Sequence, residues 1–182
     1  PGDISSAAFF IVGATLIKDS VIKIKNMGVN PTRTGLLDVL KEMGADIKIE
    51  NIKNQDTEPT ADLIVQSASH LQAVEIQKEQ VPLLIDEIPV FMVAACFAQG
   101  ITRIHGAGEL RVKETDRIAS MTENLKKMGA RIDVDGDDVI IQGAGALRGA
   151  VVKSFLDHRT AMACAIAGCM AEGETTILDP EC

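Results

Sequence analysis

Apolar and polar positions follow a pattern that recurs along the chain. Three times an aspartate precedes an Ala-rich stretch that is apolar on nearly all sides, at Asp3, Asp86 and Asp157. A polar break and a short alternating segment follow each stretch, as in Val21-Ile-Lys-Ile and Ile101-Thr-Arg-Ile. Helices that are apolar all round are buried, and alternation is typical of half-buried strands. Each copy is therefore predicted to contain a central buried helix followed by a strand.

The first two copies continue into a one-sided helical segment, which should cover the outside of the domain. Its apolar face in copy one consists of Leu36, Leu37, Leu40 and Met43. Gly44 and Gly129 follow the two segments at positions suited to a left-handed helix cap. Strand pairs are predicted next, ending around Asp62-Leu-Ile-Val-Gln and Asp137-Asp-Val-Ile-Ile-Gln. A full copy thus reads helix, strand, helix, strand, strand.

The three copies predict one α/β (α+β) domain over residues 1–182, built around a pseudo-threefold axis. The repeats start near residues 3, 86 and 157, and the third lacks its outer helix and closing strands. The polar stretch from Asn51 to Thr60 is predicted to be a loop inside copy one and not a domain boundary. Because the chain starts at Pro1 without an initiator methionine, we expect it to be a piece of a longer polypeptide.

Composition and charge narrow the possible partners. The 182 residues carry a formal net charge of −8, which disfavours general binding to a nucleic-acid backbone. Aromatic residues make up 3% of the chain, too few for base-stacking platforms. No uncharged apolar run approaches the length of a membrane span, so no membrane partner is expected. Four cysteines without a metal-ligand or disulfide pattern suggest buried free thiols and a cytoplasmic location.

The three helix starts are the first functional indication. An aspartate at this position usually caps the helix, so Asp3, Asp86 and Asp157 are all candidate N-caps. Pro89 would fall in the first turn of the second central helix, where proline costs little. A threefold arrangement would point three positive helix ends at one face of the domain, which suits anions.

Charged residues at residues 110–118 give a second indication. Lys113 and Arg117 are spaced as neighbours on one helix face, with Glu114 three residues before Arg117. A solvated charged face would explain this spacing, and so would an anion clamp with an acid beside it. Arg159 favours the clamp, because a cation in the first turn of a helix is otherwise mildly unfavourable.

These segments, in this order, resemble the 5-enolpyruvylshikimate-3-phosphate synthase family. The matching segments are Gly2-Asp-Ile-Ser-Ser, Asp86-Glu-Ile-Pro-Val-Phe-Met, Arg111-Val-Lys-Glu-Thr-Asp-Arg117, Asp157-His-Arg159 and Ile177-Leu-Asp-Pro-Glu-Cys182. The resemblance implies a cytoplasmic, monomeric enzyme of two domains, each made of three βαβαββ units, with the active site between them. This chain would be the domain formed mainly by the C-terminal half, and the other domain would be its partner.

The family transfers the enolpyruvyl group of phosphoenolpyruvate to the 5-hydroxyl of shikimate 3-phosphate and releases phosphate, without metal or cofactor. By resemblance, Asp86 contacts the shikimate hydroxyl and accepts its proton, and Glu114 takes part in proton transfer at the methylene carbon. Lys113 would bind shikimate 3-phosphate, while Arg117 and Arg159 would bind phosphoenolpyruvate. Paired guanidinium groups suit carboxylates and phosphates because they donate two parallel hydrogen bonds.

Other residues near these segments have weaker assignments. His158 is a candidate for support of the site or for local packing, and Asp157 is kept as an N-cap. Ser5 and Ser6 are more typical of helix capping than of anion binding. Glu109 stands near a position where some family members have an asparagine that contacts the shikimate ligand, so that contact is not carried over.

A lysine that the family has beyond its Asp-Pro-x-Cys segment is absent, because the chain ends at Cys182. We therefore expect the chain alone to show no turnover and at best millimolar anion binding. Two alternatives remain open on the sequence. One is a domain of the UDP-N-acetylglucosamine carboxyvinyltransferase type, and the other is a non-catalytic anion-binding module of the same fold.

Overall fold

The computed structural model describes residues 1–53 and 58–182. Its α-helices are α1 (Ile4–Leu16), α2 (Gly35–Glu42), α3 (Ile88–Phe97), α4 (Arg117–Lys127) and α5 (His158–Met170). The longer strands are β1 (Val21–Gly28), β2 (Asp46–Lys53), β3 (Thr60–Gln66), β5 (Ile101–Ile104), β6 (Arg131–Asp135) and β7 (Asp138–Gln142). The short strands are β4 (Glu75–Ile76), β8 (Leu147–Arg148), β9 (Val151–Lys153), β10 (Ala171–Glu172) and β11 (Thr176–Leu178). Two 3-10 helices span Val81–Leu83 and Gly108–Val112.

The central helices α1, α3 and α5 pack against one another and form the middle of the core. Helix α3 is buried from Ile88 to Cys96, as expected for a helix that is apolar on every side. Helix α1 is mostly buried, although Phe10 is exposed. The predicted fold class, with buried central helices and outer sheets, is confirmed.

The sheets explain how the three units repeat. Strands β1, β3 and β2 form one antiparallel sheet in that order, and β4, β5, β7 and β6 form the second. A strand before each of α3 and α5 pairs in parallel with a strand after the helix, β4 with β5 and β9 with β11. Gly2 and Met27 form the corresponding parallel bridge around α1. Parallel neighbours need such a crossover helix, which places each central helix against its own sheet.

The two outer helices are present as predicted, although α4 begins only at Arg117. Leu36, Leu37 and Leu40 of α2 are fully buried, and α4 packs against α3 and α5. Gly44 and Gly129 follow α2 and α4 with φ of 99° and 91°. Only glycine adopts this left-handed conformation without steric cost, so both helices end where the sequence indicates.

Two expectations need adjustment. The predicted loop over residues 51–60 is shorter, because β2 continues to Lys53 and β3 begins at Thr60, while residues 54–57 lie outside the described part. Helix α5 is buried on one side only, through Thr160, Ala163, Cys164 and Ala167. In the described ranges the third unit lacks an outer helix that would cover its other side. No helix in those ranges is long and apolar enough to cross a membrane.

The cysteines divide into two classes. Cys96 and Cys164 are buried free thiols, and burial raises the pKa of each to about 12. Cys169 and Cys182 are exposed, so the expectation of buried thiols is wrong for these two. Cys169 lies on the uncovered side of α5, which explains its exposure.

Candidate active site

Two of the three predicted N-caps are confirmed. Asp3 accepts a hydrogen bond from the Ser6 backbone at 2.8 Å, and Asp157 accepts one from the Thr160 backbone at 2.9 Å. Asp86 does not cap α3, which begins two residues later at Ile88. The expectation of a third capping aspartate was therefore wrong.

The Asp86 carboxylate instead lies between two arginines from different units. Oδ1 accepts from Nη1 of Arg117 at 3.2 Å, and Oδ2 accepts from Nη2 of Arg159 at 3.3 Å. Charge-assisted bonds of this kind are about twice as strong as neutral ones, which explains why the carboxylate faces the arginines and not the helix end. Pro89 in the first turn of α3 also removes one backbone donor that a cap would use.

Arg117 is the centre of the site. Its side chain is 1% exposed, and it donates to Asp157, Asp86 and Glu114, the last at 2.5 Å. Burial alone would lower the pKa of Arg117, but hydrogen bonds and charge from Asp157, with the charges of Glu114 and Asp86, raise it. The guanidinium group is therefore a fixed positive charge at the place where α4 begins.

Asp157 is the buried partner of Arg117. Burial alone would raise the pKa of this carboxyl group, but hydrogen bonds from Arg117 and Thr160 lower it. Asp157 is fully buried, so its role as an N-cap is only part of its function in the fold. The sequence indicates the cap but not the pairing, because the two residues are 40 positions apart.

Lys113 occupies a different environment from the one expected. The segment before Arg117 is not α-helical, since α4 begins at Arg117 with Asp116 as its N-cap. The prediction that Lys113 and Arg117 share a helix face was therefore wrong. Lys113 donates to Glu109 at 2.9 Å, an exposed carboxylate.

Glu114 is the exposed acid of the cluster, with about half of its side chain accessible. Glu114, Asp157 and His158 bring three possible metal-ligand atoms within 4.8 Å of one another. Two of these residues already pair with Arg117, so a guanidinium cation occupies the place that a metal would need. His158 is half-exposed, with Nδ1 4.0 Å from Asp157.

The site is a set of ion pairs contributed by the second and third units. Direct contacts link Asp86, Glu114, Arg117 and Arg159. Lys113 lies near them because it precedes Glu114 in the sequence. Each cation pairs with at least one carboxylate whose side chain is one-third or more exposed. Arg117 has an additional, buried partner in Asp157. An incoming anion can replace the exposed carboxylates, since it offers the same cations an equivalent charge.

Comparison with known proteins decides the family. The family model described as EPSP synthase (3-phosphoshikimate 1-carboxyvinyltransferase) matches residues 1–182. The chain belongs to the EPSP synthase family. Two proteins named 3-phosphoshikimate 1-carboxyvinyltransferase, from Thermoanaerobacter sp. (strain X514) and Gloeobacter violaceus, are 54% and 52% identical to the chain over 182 residues. The chain is covered completely in both comparisons, but it spans only 43% and 42% of those relatives.

Solved structures agree with this membership. EPSP synthase from Acinetobacter baumannii superimposes with a TM-score of 0.95 at 42% identity, over 100% of this chain and 42% of that protein. The enolpyruvyl transferase NikO from Streptomyces tendae has a TM-score of 0.71 at 18% identity, over 98% of this chain and 38% of its own. The second likeness shows only that the fold is shared.

Sequence reasoning missed two residues beside this cluster of ion pairs. Glu87 is buried beside Asp86 and accepts a hydrogen bond from the Ser5 hydroxyl. Arg33 donates to Ser5 at 3.0 Å and to Asp3 at 3.2 Å. Aligning the repeats would have indicated Arg33, because it precedes α2 much as the Lys113–Arg117 segment precedes or opens α4.

Proposed function

We propose that this chain is one lobe of a longer enzyme that transfers the enolpyruvyl group of phosphoenolpyruvate to the 5-hydroxyl of shikimate 3-phosphate. The observation that carries the proposal is the contact of Asp86 with Arg117 and Arg159, with Glu114 on the same arginine, in a chain of the EPSP synthase family. The other lobe would supply the opposite wall of the cleft. We further propose a monomeric enzyme that works in the cytoplasm.

The reaction is an addition followed by an elimination. The 5-hydroxyl gives up its proton and adds to the central carbon of phosphoenolpyruvate while the methylene carbon gains a proton. The tetrahedral intermediate then loses phosphate together with a proton of the new methyl group, which re-forms the carbon–carbon double bond. The addition needs a base at the hydroxyl and an acid at the methylene carbon. Both substrates carry a phosphate and a carboxylate, so fixed cations are also needed.

Asp86 is the proposed base. About a third of its side chain is exposed, on the face where the central helices begin, so a substrate hydroxyl can approach it. The two arginines hold both carboxylate oxygens at one place. Positioning of this kind matters because a proton is transferred only over hydrogen-bond distance.

Glu114 is the proposed acid. Its carboxyl group is half-exposed and forms an ion pair with Arg117. A bound phosphoenolpyruvate anion would replace Glu114 as the partner of Arg117. Binding of the anion would therefore free Glu114 next to the substrate's methylene group. Asp157 accepts from Nε and Nη2 of Arg117 and would continue to hold the guanidinium group during this exchange.

The anion contacts divide between two substrates. Arg117 and Arg159 are proposed to bind phosphoenolpyruvate, and Lys113 is proposed to bind shikimate 3-phosphate after leaving Glu109. These cations come from the second and third units, so the fold assembles a clamp that no single unit contains. The acidic net charge of the chain makes such a local cluster necessary for anionic ligands.

Phosphate release tests the proposal. The full-length protein should release phosphate when both substrates are present, and the 182-residue chain alone should release none because half a cleft leaves the ligands solvated. UDP-N-acetylglucosamine in place of shikimate 3-phosphate should give no product. Product with the UDP-sugar, or none with shikimate 3-phosphate, would contradict the proposed function.

A further inference from the structure

Glu87 is a buried carboxylate that the proposed reaction does not use. Its side chain lies directly before α3 and makes no capping bond to the helix backbone. The carboxyl group accepts a hydrogen bond from the hydroxyl of Ser5, which is itself buried in the first turn of α1. A buried carboxylate lowers stability unless hydrogen bonds to its partners offset the loss of water. A buried carboxylate between two units therefore suggests a functional role.

The hydrogen bonds around Ser5 have one possible direction. Nη2 of Arg33 donates to the Ser5 hydroxyl oxygen at 3.0 Å, and a guanidinium group has no acceptor. The hydroxyl proton of Ser5 must therefore point to Glu87. The arginine is anchored in turn by Asp3, at 3.2 Å, which also caps α1.

Glu87 and Asp86 are adjacent in the sequence, so a contact that holds the backbone of one residue in place also holds the backbone of the other. Arg117 of the second unit and Arg159 of the third hold the Asp86 side chain. Ser5 of the first unit holds Glu87. The short segment before α3 is thus tied to all three units.

We propose that Glu87 is a positioning residue for Asp86, and that Ser5 fixes Glu87 from the first unit. The inference rests on the proposed function, in which Asp86 takes the proton of the substrate hydroxyl. Glu87 itself touches no substrate. It acts by keeping the segment before α3 in register with the two arginines.

Charge adds a second effect of Glu87. The charged groups that face it are Asp86 on its own segment, Arg159 from α5, and Arg33 behind Ser5. Burial raises the pKa of Glu87, the Ser5 hydrogen bond and the charge of Arg159 oppose this, and the charge of Asp86 adds to it. When ionised, Glu87 is a second negative charge next to Asp86.

Steady-state kinetics of the full-length protein separate position from charge. Glu87→Ala and Ser5→Ala should each lower kcat by about 10-fold to 100-fold at nearly constant KM, because misplacement by about 1 Å costs that much. Glu87→Gln keeps an acceptor for Ser5 and should restore most of kcat. It should also move the acid limb of the pH profile of kcat/KM to lower pH, since a negative neighbour is lost.

Glu123→Gln, at an exposed acid of α4 paired with Lys127, is the matched control and should leave kcat and the pH profile unchanged. Thermal unfolding shows whether each variant is folded. If Glu87→Ala does not fold, the kinetics of Ser5→Ala test the inference in its place. Wild-type kcat in a folded Ser5→Ala variant would overturn the inference. So would a Glu87→Gln variant that is as slow as Glu87→Ala with an unshifted pH profile. An inactive wild-type protein would instead contradict the proposed function.

Discussion

Asp157 holds Arg117 through two hydrogen bonds, from Nε to Oδ2 at 3.3 Å and from Nη2 to Oδ1 at 3.0 Å. Arg117 opens α4 of the second unit, whereas Asp157 opens α5 of the third. One buried ion pair therefore joins two units at the site. It also leaves the outer edge of Arg117 to residues that a ligand can replace.

Replacing Asp157 should destabilise the chain strongly. Asp157→Ala leaves a buried arginine without its main partner, and the free energy of unfolding should fall by about 3–5 kcal/mol. Asp157→Asn should lose less, because asparagine still caps α5. Urea unfolding near neutral pH measures both changes.

Asp3→Ala is the matched control for that experiment. Asp3 also caps a central helix, but it is exposed, and its ion-pair partner among the described residues is the exposed Arg33. Its loss should cost about 1 kcal/mol, the usual value of an N-cap. An equal effect of both alanine variants would show that Asp157 acts only as a cap.

Glu114→Gln should affect turnover more than binding in the full-length protein. Loss of a positioned proton donor should lower kcat by about 10²-fold to 10⁴-fold. The KM for phosphoenolpyruvate should not rise, because Glu114 competes with the substrate for Arg117. Steady-state kinetics check this, and a raised KM with normal kcat would make Glu114 a binding residue and not an acid.

The stability of the chain should fall at alkaline pH through His105. Its ring nitrogens lie 2.7 Å from Glu75 and 2.7 Å from Asp138 on neighbouring strands. Hydrogen bonds that the ring donates to these carboxylates, the one to Glu75 first and the one to Asp138 second, raise the pKa of His105 above the ordinary value of 6.5. The resulting stabilisation is full below the unfolded-state pKa and is lost as pH rises through the higher folded-state pKa.

His105→Gln isolates that effect because glutamine does not titrate. The difference in unfolding free energy between wild type and variant should be largest below about pH 6 and should shrink above neutral pH. Urea unfolding at several pH values measures it. A difference that stays constant from about pH 5.5 to pH 9 would mean that the charge of His105 contributes nothing.

Thiol labelling should distinguish the two classes of cysteine. A thiol reagent such as dithionitrobenzoate should react rapidly with Cys169 and Cys182 of the native chain, and with all four thiols after denaturation. Cys169→Ser should reduce the rapid native reaction to one thiol. Rapid reaction of Cys96 or Cys164 would contradict their burial.

Much of the fold can be predicted from the sequence because its signals are local. The apolar faces of α2 and α3, the glycines after α2 and α4, and the alternating strands each follow from neighbouring residues. The repeat then supplies the arrangement. Asp3 and Asp157 cap as expected, and each also accepts a hydrogen bond from an arginine.

The site was less predictable because it depends on pairs distant in sequence. Asp86 was expected to cap a helix, but Arg117 and Arg159 attract it from other elements. Lys113 was placed on a helix that begins only at Arg117. Glu87 gives no signal of burial in the sequence, since its partner Ser5 is 82 positions away.

The proposed function requires cations from separate units to bind one anionic substrate together. Arg159→Ala and Arg131→Ala in the full-length protein test this directly, because Arg131 is an exposed arginine of the outer strand β6. The dissociation constant for phosphoenolpyruvate, measured by calorimetry without the second substrate so that no turnover occurs, should rise about 10-fold to 100-fold for Arg159→Ala, as expected for lost charged hydrogen bonds. It should stay at the wild-type value for Arg131→Ala. Equal affinity in both variants and the wild type would contradict the account.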